Sequence, residues 1–452
     1  MLHAICLTVL LCAPAAPSPD SIVAFVDVTV IPMDRERSLP HSTVLVRGDR
    51  ILTVGPAQKV TVPAEATRIE GEGKFLIPGL AEMHAHIPGG TAPDSLVERT
   101  LFLYVAGGIT TIRGMLGHPR HLELRARATQ PGVISPRIYT SGPSLNGNSV
   151  PDGKSALTMV ADQKEAGYDF LKIHPGIKRE IFDTLSAAAE RAGMRLAGHV
   201  PLEVGLQRAL EARYASIDHL DGYIEAMVRT GAPVTSAESQ LFGLNLGEHL
   251  DESRMASLVK ATRQAGVWNV PTQSLMENLS PAVSAEALAR RPEMRFVPAD
   301  TRAEWSREKS SLLRETGSSP ESVRRMMAAR RKLIRSLHAG GAGLLLGSDA
   351  PQIYNVPGFS IHHELEALVA AGLTPYQALE TGTRNVAMFF GTLSEGGTIE
   401  AGKRADLVLL DRNPLTDIRN TSRRAGVMLR GRWLPQSDIA ARLAVIAKSV
   451  GN

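Results

Sequence analysis

Eight short apolar segments of strand-like text recur through the middle of the chain, separated by stretches in which apolar residues repeat at three and four positions. The segments are KFLIPGLAEMHAH, GITTIRGM, RIYTSGP, DFLKIH, RLAGHV, ASIDHL, VWNVPTQ and GLLLGSDA, with helical text such as KREIFDTLSAAAERAG and VGLQRALEAR between them. This alternation restricts the fold severely. Parallel strands need right-handed crossover connections, and eight such units close into a barrel whose functional loops all leave the C-terminal ends of the strands. Five of the segments carry, at or near that end, a residue able to bind a divalent cation: His84 and His86 in AEMHAH, Lys172 in FLKIH, His199 in LAGHV, His219 in SIDHL and Asp349 in GSDAP. Donors delivered in this order to one face predict a site at the mouth of a barrel.

At 452 residues the chain can hold one such barrel, which takes about 250 residues, and a smaller unit beside it. From Ile22 to about Leu80 the text is β-rich, in VAFVDVTVI, STVLVRGDRILTVG and TRIEGEGKFLIPG, and similar text returns in GTIEAGKRADLVLLDRNP and AGVMLRGRWL. Each flank alone leaves strand edges open and buries too little, so the two are expected to pair. The expected fold is α/β: a (β/α)8 TIM-type barrel over 80–394, with a discontinuous β-sandwich built from 22–79 and 395–441. The stretch from Met276 to His338 is longer than a usual connection and rich in charge (RAEWSREKSS, RRMMAARRKLIR). It is expected to be a helical insertion, either a cap beside the site or a solvated excursion.

Apolar residues make up 43% of the chain and charged residues 21%, which fits a globular protein folding in water. A formal charge of +4, with cations dispersed among acids, gives little support for nucleic-acid binding, and the basic run from Arg324 to Arg335 either attracts acidic substrates or, more simply, is a solvated helix face. The expected partner is a small-molecule substrate, and a homo-oligomer is compatible with the composition. Ala4 to Ala13 form an apolar run followed by PAAPS, the pattern of a secretory signal over 1–16, although only His3 stands where a Lys or Arg is usual. The run is too short for stable membrane insertion, which takes about 20 residues. Export to the periplasm or the medium is therefore expected. Both cysteines, Cys6 and Cys12, lie in that segment, so the processed chain has no thiol for a disulfide, for catalysis or for a metal.

His84 and His86 stand two apart on a strand, so their imidazoles share a face and suit one metal. A hydrogen-bonded core histidine is the alternative for His199 or His219 taken singly, but each follows an apolar strand one repeat from the other. Lys172 lies inside a short apolar strand rather than on a helix face. A buried lysine loses its proton readily, and the neutral amine can add carbon dioxide. The resulting carbamate has two anionic oxygens and can bridge two metals about 3.5–4 Å apart. His174 shares the face of Lys172 and is a rival ligand. Asp349 ends the eighth segment, where it can hold a metal and act as catalytic base; a turn or helix cap before Pro351 is the alternative. Tyr223, His118, Asn146 and His362 fall in loops after the sixth, second, third and eighth segments and are candidates for binding substrate.

The text FLIPGLAEMHAH, GGITTIRG, LKIH, AGHV, SIDHL and GSDAP, followed by AGLTPYQALETGTRNVAMFFG and GTIEAGKRADLVLLD, resembles the amidohydrolase superfamily, in its branch of imidazolonepropionase-like enzymes and metal-dependent Xaa-Pro dipeptidases. The resemblance covers nearly the whole processed chain. It implies that His84, His86 and Asp349 bind a first divalent ion, that His199 and His219 bind a second, and that carboxylated Lys172 bridges them, with zinc the expected metal. Many relatives have Asp after TTIR, where this chain has Gly114; no implied ligand is lost. The implied activity is hydrolysis of an amide C–N bond, in a dipeptide or an N-acyl amino acid, by a bridging hydroxide with Asp349 as general base. Hydrolysis of a lactone, carboxylic ester or phosphotriester would use the same site. A one-metal deaminase fits less well because those relatives lack the bridging lysine, and an inactive binding or scaffold barrel would not need all six donors.

Overall fold

The structure, a computed structural model, describes residues 21–451, so the expected signal segment 1–16 lies outside the described residues. Strands β1 (Ile22–Val30), β2 (Leu39–Arg47), β3 (Arg50–Pro56), β4 (Thr67–Glu70) and β5 (Phe75–Pro78) come first. The central series is β6 (Leu80–Ala85), β7 (Ile109–Gly114), β8 (Arg137–Thr140), β9 (Leu171–Ile173), β10 (Leu196–Gly198), β11 (Ser216–Asp218) and β12 (Trp268–Val270). Strands β13 (Leu407–Leu410), β14 (Arg424–Leu429) and β15 (Arg432–Pro435) follow, and the helix Gln436–Gly451, which the sequence pattern does not announce, ends the described chain. Among the described residues no helix is long and apolar enough to cross a membrane.

The two flanks pair, in one sheet of order β15-β14-β13-β5-β1-β2-β3 with β4 also against β1. Their seam is the antiparallel pairing of β13 with β5, Leu407 opposite Pro78 through Leu410 opposite Phe75. Phe25, Val28, Val44, Ile51, Leu76, Leu407 and Met428 are buried in one apolar cluster over this sheet. The Phe25 ring meets Trp433 edge-on with centroids 5.3 Å apart, so the first and last strands of the sheet share a core.

The segment KFLIPGLAEMHAH, expected as one strand, divides at Gly79 between the flanking sheet and the central series. A Cβ at Gly79 would lie 2.2 Å from Thr110 Oγ1, so only glycine lets the chain cross from β5 to β6 against β7. The central strands form two parallel sheets, β6-β7-β8 and β9-β10-β11-β12. Parallel bridges Ser141–Phe170 and Leu145–Ile173 join the chain after β8 to β9, and bridges Asn269–Leu344 and Ala85–Ala350 carry the pairing from β12 through residues 344–350 to β6. Every residue of β6, β9, β10 and β11 is buried, as strands covered on both faces must be.

Two expectations are corrected. GLLLGSDA is not a regular strand: Asp349 turns to φ +63°, and a Cβ at Gly347 would sit 2.9 Å from His84 N and 2.5 Å from Val270. It follows β6 through single hydrogen bonds, Met83 N to Leu346 O and His86 N to Ala350 O. Second, the expected insertion over 276–338 is not one unit. Its last helix, Pro320–Ala339, is the crossover from β12 to residues 344–350, with Val323, Met326, Met327, Leu333, Ile334 and Leu337 buried while Arg324, Arg325, Lys332 and Arg335 face solvent. The dense charge of this helix hides its apolar stripe. The true excursion, with helices Ala285–Ala289 and Ala299–Glu315, commits Leu288, Met294, Phe296 and Trp305 to a side cluster with helix Asp94–Ala106 and the C-terminal helix.

Because Phe25 is fully buried and joins both flanks, Phe25→Ala should lower the unfolding free energy by about 3–5 kcal/mol. Chemical denaturation followed by far-UV circular dichroism checks this; a loss below about 1 kcal/mol would mean that the sheet does not unfold with the rest.

Candidate metal centre

Most of the expected donors stand at strand exits with the ladder carried past the strand end. His199 N donates to Ile173 O (3.0 Å), His219 N to Val270 O (2.8 Å) and Asp349 N to His84 O (3.0 Å), so each backbone is fixed by its neighbouring segment. His84 lies within β6, His86 just past it, and Lys172 in the middle of β9. The seam between β6 and residues 344–350 brings one ligand atom from each of His84, His86 and Asp349 to within 4.8 Å of one another. Asp349 Oδ1 is 2.6 Å from His86 Nε2 and 3.5 Å from His84 Nε2, while its Oδ2 is 3.9 Å from His219 Nε2. Ring centroids of His84 and His219, and of His219 and His199, are each 4.6 Å apart. The cluster opens to solvent where His86 and His199 keep 17% and 14% of their side chains exposed.

The other ring nitrogens are held from behind. His199 Nδ1 is 2.7 Å from Asp221 Oδ2, His219 Nδ1 is 2.8 Å from Thr272 Oγ1, and His84 Nδ1 is 2.9 Å from Asp218 Oδ2, although that approach is too poorly aligned for a hydrogen bond. Thr272 Oγ1 donates to Pro271 O, so it must accept from His219 Nδ1–H, which assigns the free lone pair of that ring to Nε2. Such outer partners fix ring orientation at metal sites. Burial pushes the His84 and His219 imidazoles well below their ordinary range, with nearby Lys172 and neighbouring histidines adding to it, so both are neutral as ligation requires.

Lys172 is fully buried, its Nζ has no hydrogen-bond partner, and the nearest carboxylate oxygen is Asp218 Oδ2 at 3.9 Å. Burial lowers its pKa, against the opposing charges of Asp218 and Asp349. A Cβ at Gly198 would lie 2.8 Å from Lys172 Cδ and 2.6 Å from Ile173 O, and Gly198 has φ +119°, so glycine before His199 makes room for the lysine stem. An amine sealed from water without a partner, beneath neutral imidazoles and a carboxylate, is a donor set that fits divalent metal and a carbamate.

Beneath the donors lies a second layer of buried charge. Arg113 donates to Met83 O (2.7 Å), Ser216 Oγ (2.8 Å) and Asp218 Oδ1 (3.1 Å). Burial alone would raise the Asp218 carboxyl, but Arg113 and Lys172 hold it below its usual value. Glu82 accepts from Ser348 N (2.7 Å) and Ser348 Oγ (2.6 Å), and burial nonetheless raises it to about 8. Positive φ at His219, Leu220, Thr272 and Asp349 concentrates backbone strain on the same few residues, a common property of functional sites.

A model described as the amidohydrolase family matches residues 75–434 of this chain. The chain belongs to the amidohydrolase family. This amidohydrolase is an enzyme of the class that hydrolyses carbon–nitrogen bonds. It is 25% identical over 390 residues to an imidazolonepropionase of Symbiobacterium thermophilum, covering 82% of this chain and 84% of the other. It is 25% identical over 449 residues to a 5-methylthioadenosine/S-adenosylhomocysteine deaminase of Moorella thermoacetica, covering 93% and 89%. In fold it is like a Xaa-Pro dipeptidase solved with methionine in its active site, at TM-score 0.66 and 18% identity, over 92% of this chain and 100% of that one.

Of the residues expected to bind substrate in this amidohydrolase, two are corrected. Tyr223 is fully buried in the short helix Tyr223–Ala226, and its Oη lies 2.7 Å from Thr262 Oγ1, so the phenol is spent on packing a neighbouring helix. His362 is buried on helix Ser360–Ala370, with Nδ1 2.9 Å from Thr421 Oγ1 and Nε2 within 3.0 Å of Gly107 O and 2.8 Å of Arg424 Nη1. Gly107 precedes β7, so His362 serves the strand-entry side. His118 caps helix Pro119–Ala128, its Nδ1 accepting from Arg120 N (3.2 Å), and Asn146 Oδ1 accepts from Asn148 N and Ser149 N, so both shape strand-exit loops. His174 stacks on His199 with centroids 4.9 Å apart, and its Nδ1 lies 2.5 Å from Ser144 Oγ. The sequence pattern does not single out Asp218, Asp221, Thr272 or Arg113; the first two flank His219 in SIDHLDG, where a carboxylate beside a candidate ligand is the available signal.

Removing an outer partner of a ligating histidine typically lowers metal affinity 10–100-fold. Asp221→Ala should do so through His199, measured by chelator competition against the unaltered protein, and an unchanged affinity would show that the Asp221 contact does not orient a ligand.

Proposed function

We propose that this amidohydrolase is an exported, binuclear metal-dependent hydrolase that cleaves an amide C–N bond in a dipeptide or an N-acyl amino acid. The ring of central strands is read as a (β/α)8 barrel over 80–394, and the flanks 22–79 and 395–441 as its β-sandwich. His84, His86 and Asp349 would hold one ion, His199 and His219 the other, with zinc the preferred metal and carboxylated Lys172 between them. The observation that carries the reading is Lys172, buried and without a partner in a strand whose neighbour β10 leads into His199. Its uncharged amine adds carbon dioxide and releases one proton, which turns an unpaired buried group into an anion with two oxygens. A deaminase is named among the relatives, and deamination at a single metal would have no use for that lysine.

When bound, two divalent ions supply a hydroxide at neutral pH and polarise the scissile carbonyl. The chain does the rest. Asp349, whose carboxylate lies among His86, His84 and His219, takes the proton of the attacking water and returns it to the departing nitrogen. Asp221 and Thr272 keep two imidazoles turned toward the centre, and Arg113 with Asp218 seals the floor against water. Phe242, whose ring lies 5.2 Å from that of His219, is an apolar neighbour of that ligand and a candidate contact for a substrate side chain.

The experiment is a screen of N-acyl amino acids, Xaa-Pro and Xaa-Arg dipeptides, lactones and aryl esters with zinc and bicarbonate supplied, alongside metal analysis. About two equivalents of metal and turnover of an amide are expected; turnover of lactones or esters alone would replace the amide assignment. Lys172→Ala should abolish activity and drop occupancy below two, with partial rescue by short carboxylic acids. Full activity in that variant would remove the bridging role.

A further inference from the structure

The crossover helix Pro320–Ala339 presents basic residues to solvent, yet one of its arginines points the other way. Arg330 is fully buried, and its guanidinium reaches three acceptors on two different loops: His219 O (2.5 Å), Pro271 O (2.8 Å) and Gln273 Oε1 (3.1 Å). His219 and Thr272 are also tied through their side chains, since the imidazole Nδ1 meets Thr272 Oγ1, which in turn donates to Pro271 O. A closed circuit results. The guanidinium holds the backbone of His219 from one side, and through the Pro271 carbonyl it holds the threonine that orients the same imidazole from the other.

Both loops need such a brace. His219, Leu220 and Thr272 have φ of +63°, +57° and +47°, conformations that non-glycine residues keep only when their surroundings enforce them. The Glu364 carboxylate fixes the far side of the second loop, accepting from Gln273 N (2.9 Å) and Ser274 N (2.6 Å). A planar guanidinium with several donors can bind two carbonyls and an amide oxygen at once, which an ammonium cannot match in geometry. The same helix steadies the neighbouring loop: Ser322 Oγ donates to Leu244 O and accepts from Gly247 N, both at 2.9 Å, close to Phe242.

We propose that Arg330 is a positioning residue for the metal centre, setting the orientation of the His219 imidazole through its carbonyl and through Pro271 and Thr272. This inference rests on the reading of His219 as a metal ligand. The test uses the full chain loaded with cobalt(II), whose visible absorption responds to ligand geometry, with chelator competition and the unfolding temperature of the metal-free protein measured in parallel. Arg330→Met should weaken the more labile cobalt about 10–100-fold and alter its visible band, the effect expected for loss of an outer partner. Arg330→Lys should recover part of both, and Arg331→Met, which removes a half-exposed partner of Glu277, should change neither. Loss of metal-free stability in Arg330→Met with cobalt affinity and spectrum unchanged would make the arginine a packing element and overturn the proposal. If Arg330→Met does not fold, Arg330→Lys and Gln273→Leu carry the test, each expected to shift affinity in the same direction by less. His219→Ala separates the two ideas: cobalt binding intact in that variant would defeat the ligand reading itself, whereas loss there without loss in the Arg330 variants defeats only the role of Arg330.

Discussion

The site depends on the seam where residues 344–350 run beside β6. Two backbone bonds, Asp349 N to His84 O and His86 N to Ala350 O, place an acid from late in the chain against the paired histidines of its first central strand. Without that register Asp349 would have no fixed distance to either imidazole. The seam is irregular because it must be: Gly347 passes too near His84 N for any side chain, and Asp349 leaves the strand conformation so that its carboxylate reaches the cluster. A regular strand there would turn successive side chains to alternate faces and could not aim Asp349 freely.

Around the seam, buried charge is arranged in pairs that offset its own desolvation. Arg113 neutralises Asp218 from below, Asp218 approaches both His84 and Lys172, and Glu82, lacking a cation, is pushed up and held by Ser348 instead. Lys172 Nζ stands without a hydrogen bond. A fully enclosed polar atom with no partner is expensive, and a fold that keeps one at its strand exits is organised for something that completes it.

The donors at the strand exits were legible because a polar residue ending an apolar run has few structural reasons to be there; six such residues in order could be read directly from AEMHAH, FLKIH, LAGHV, SIDHL and GSDAP. The flanks were legible as β-rich text, and their seam follows from the need to cover edges. What could not be read is whatever depends on the direction of a side chain from a helix or loop. Tyr223 looked well placed by its distance from His219, but it opens a short helix and turns to Thr262. Arg330 sits in a basic run whose other members are exposed or half-exposed, so its inward turn shows only in its place on the apolar stripe, three and four residues from Met327, Met326, Leu333 and Ile334. The crossover helix reads as part of an insertion because its dense charges obscure its apolar stripe in the text.

The antiparallel contact of β13 with β5 has a temporal meaning. Leu410, opposite Phe75, is synthesised only after the whole central series that lies between them, so the sheet that anchors the start of β6 stays incomplete until that series has emerged. Contacts of such wide separation form late and slowly. During synthesis the nascent chain therefore carries its imidazoles without the frame that converges them in the finished molecule.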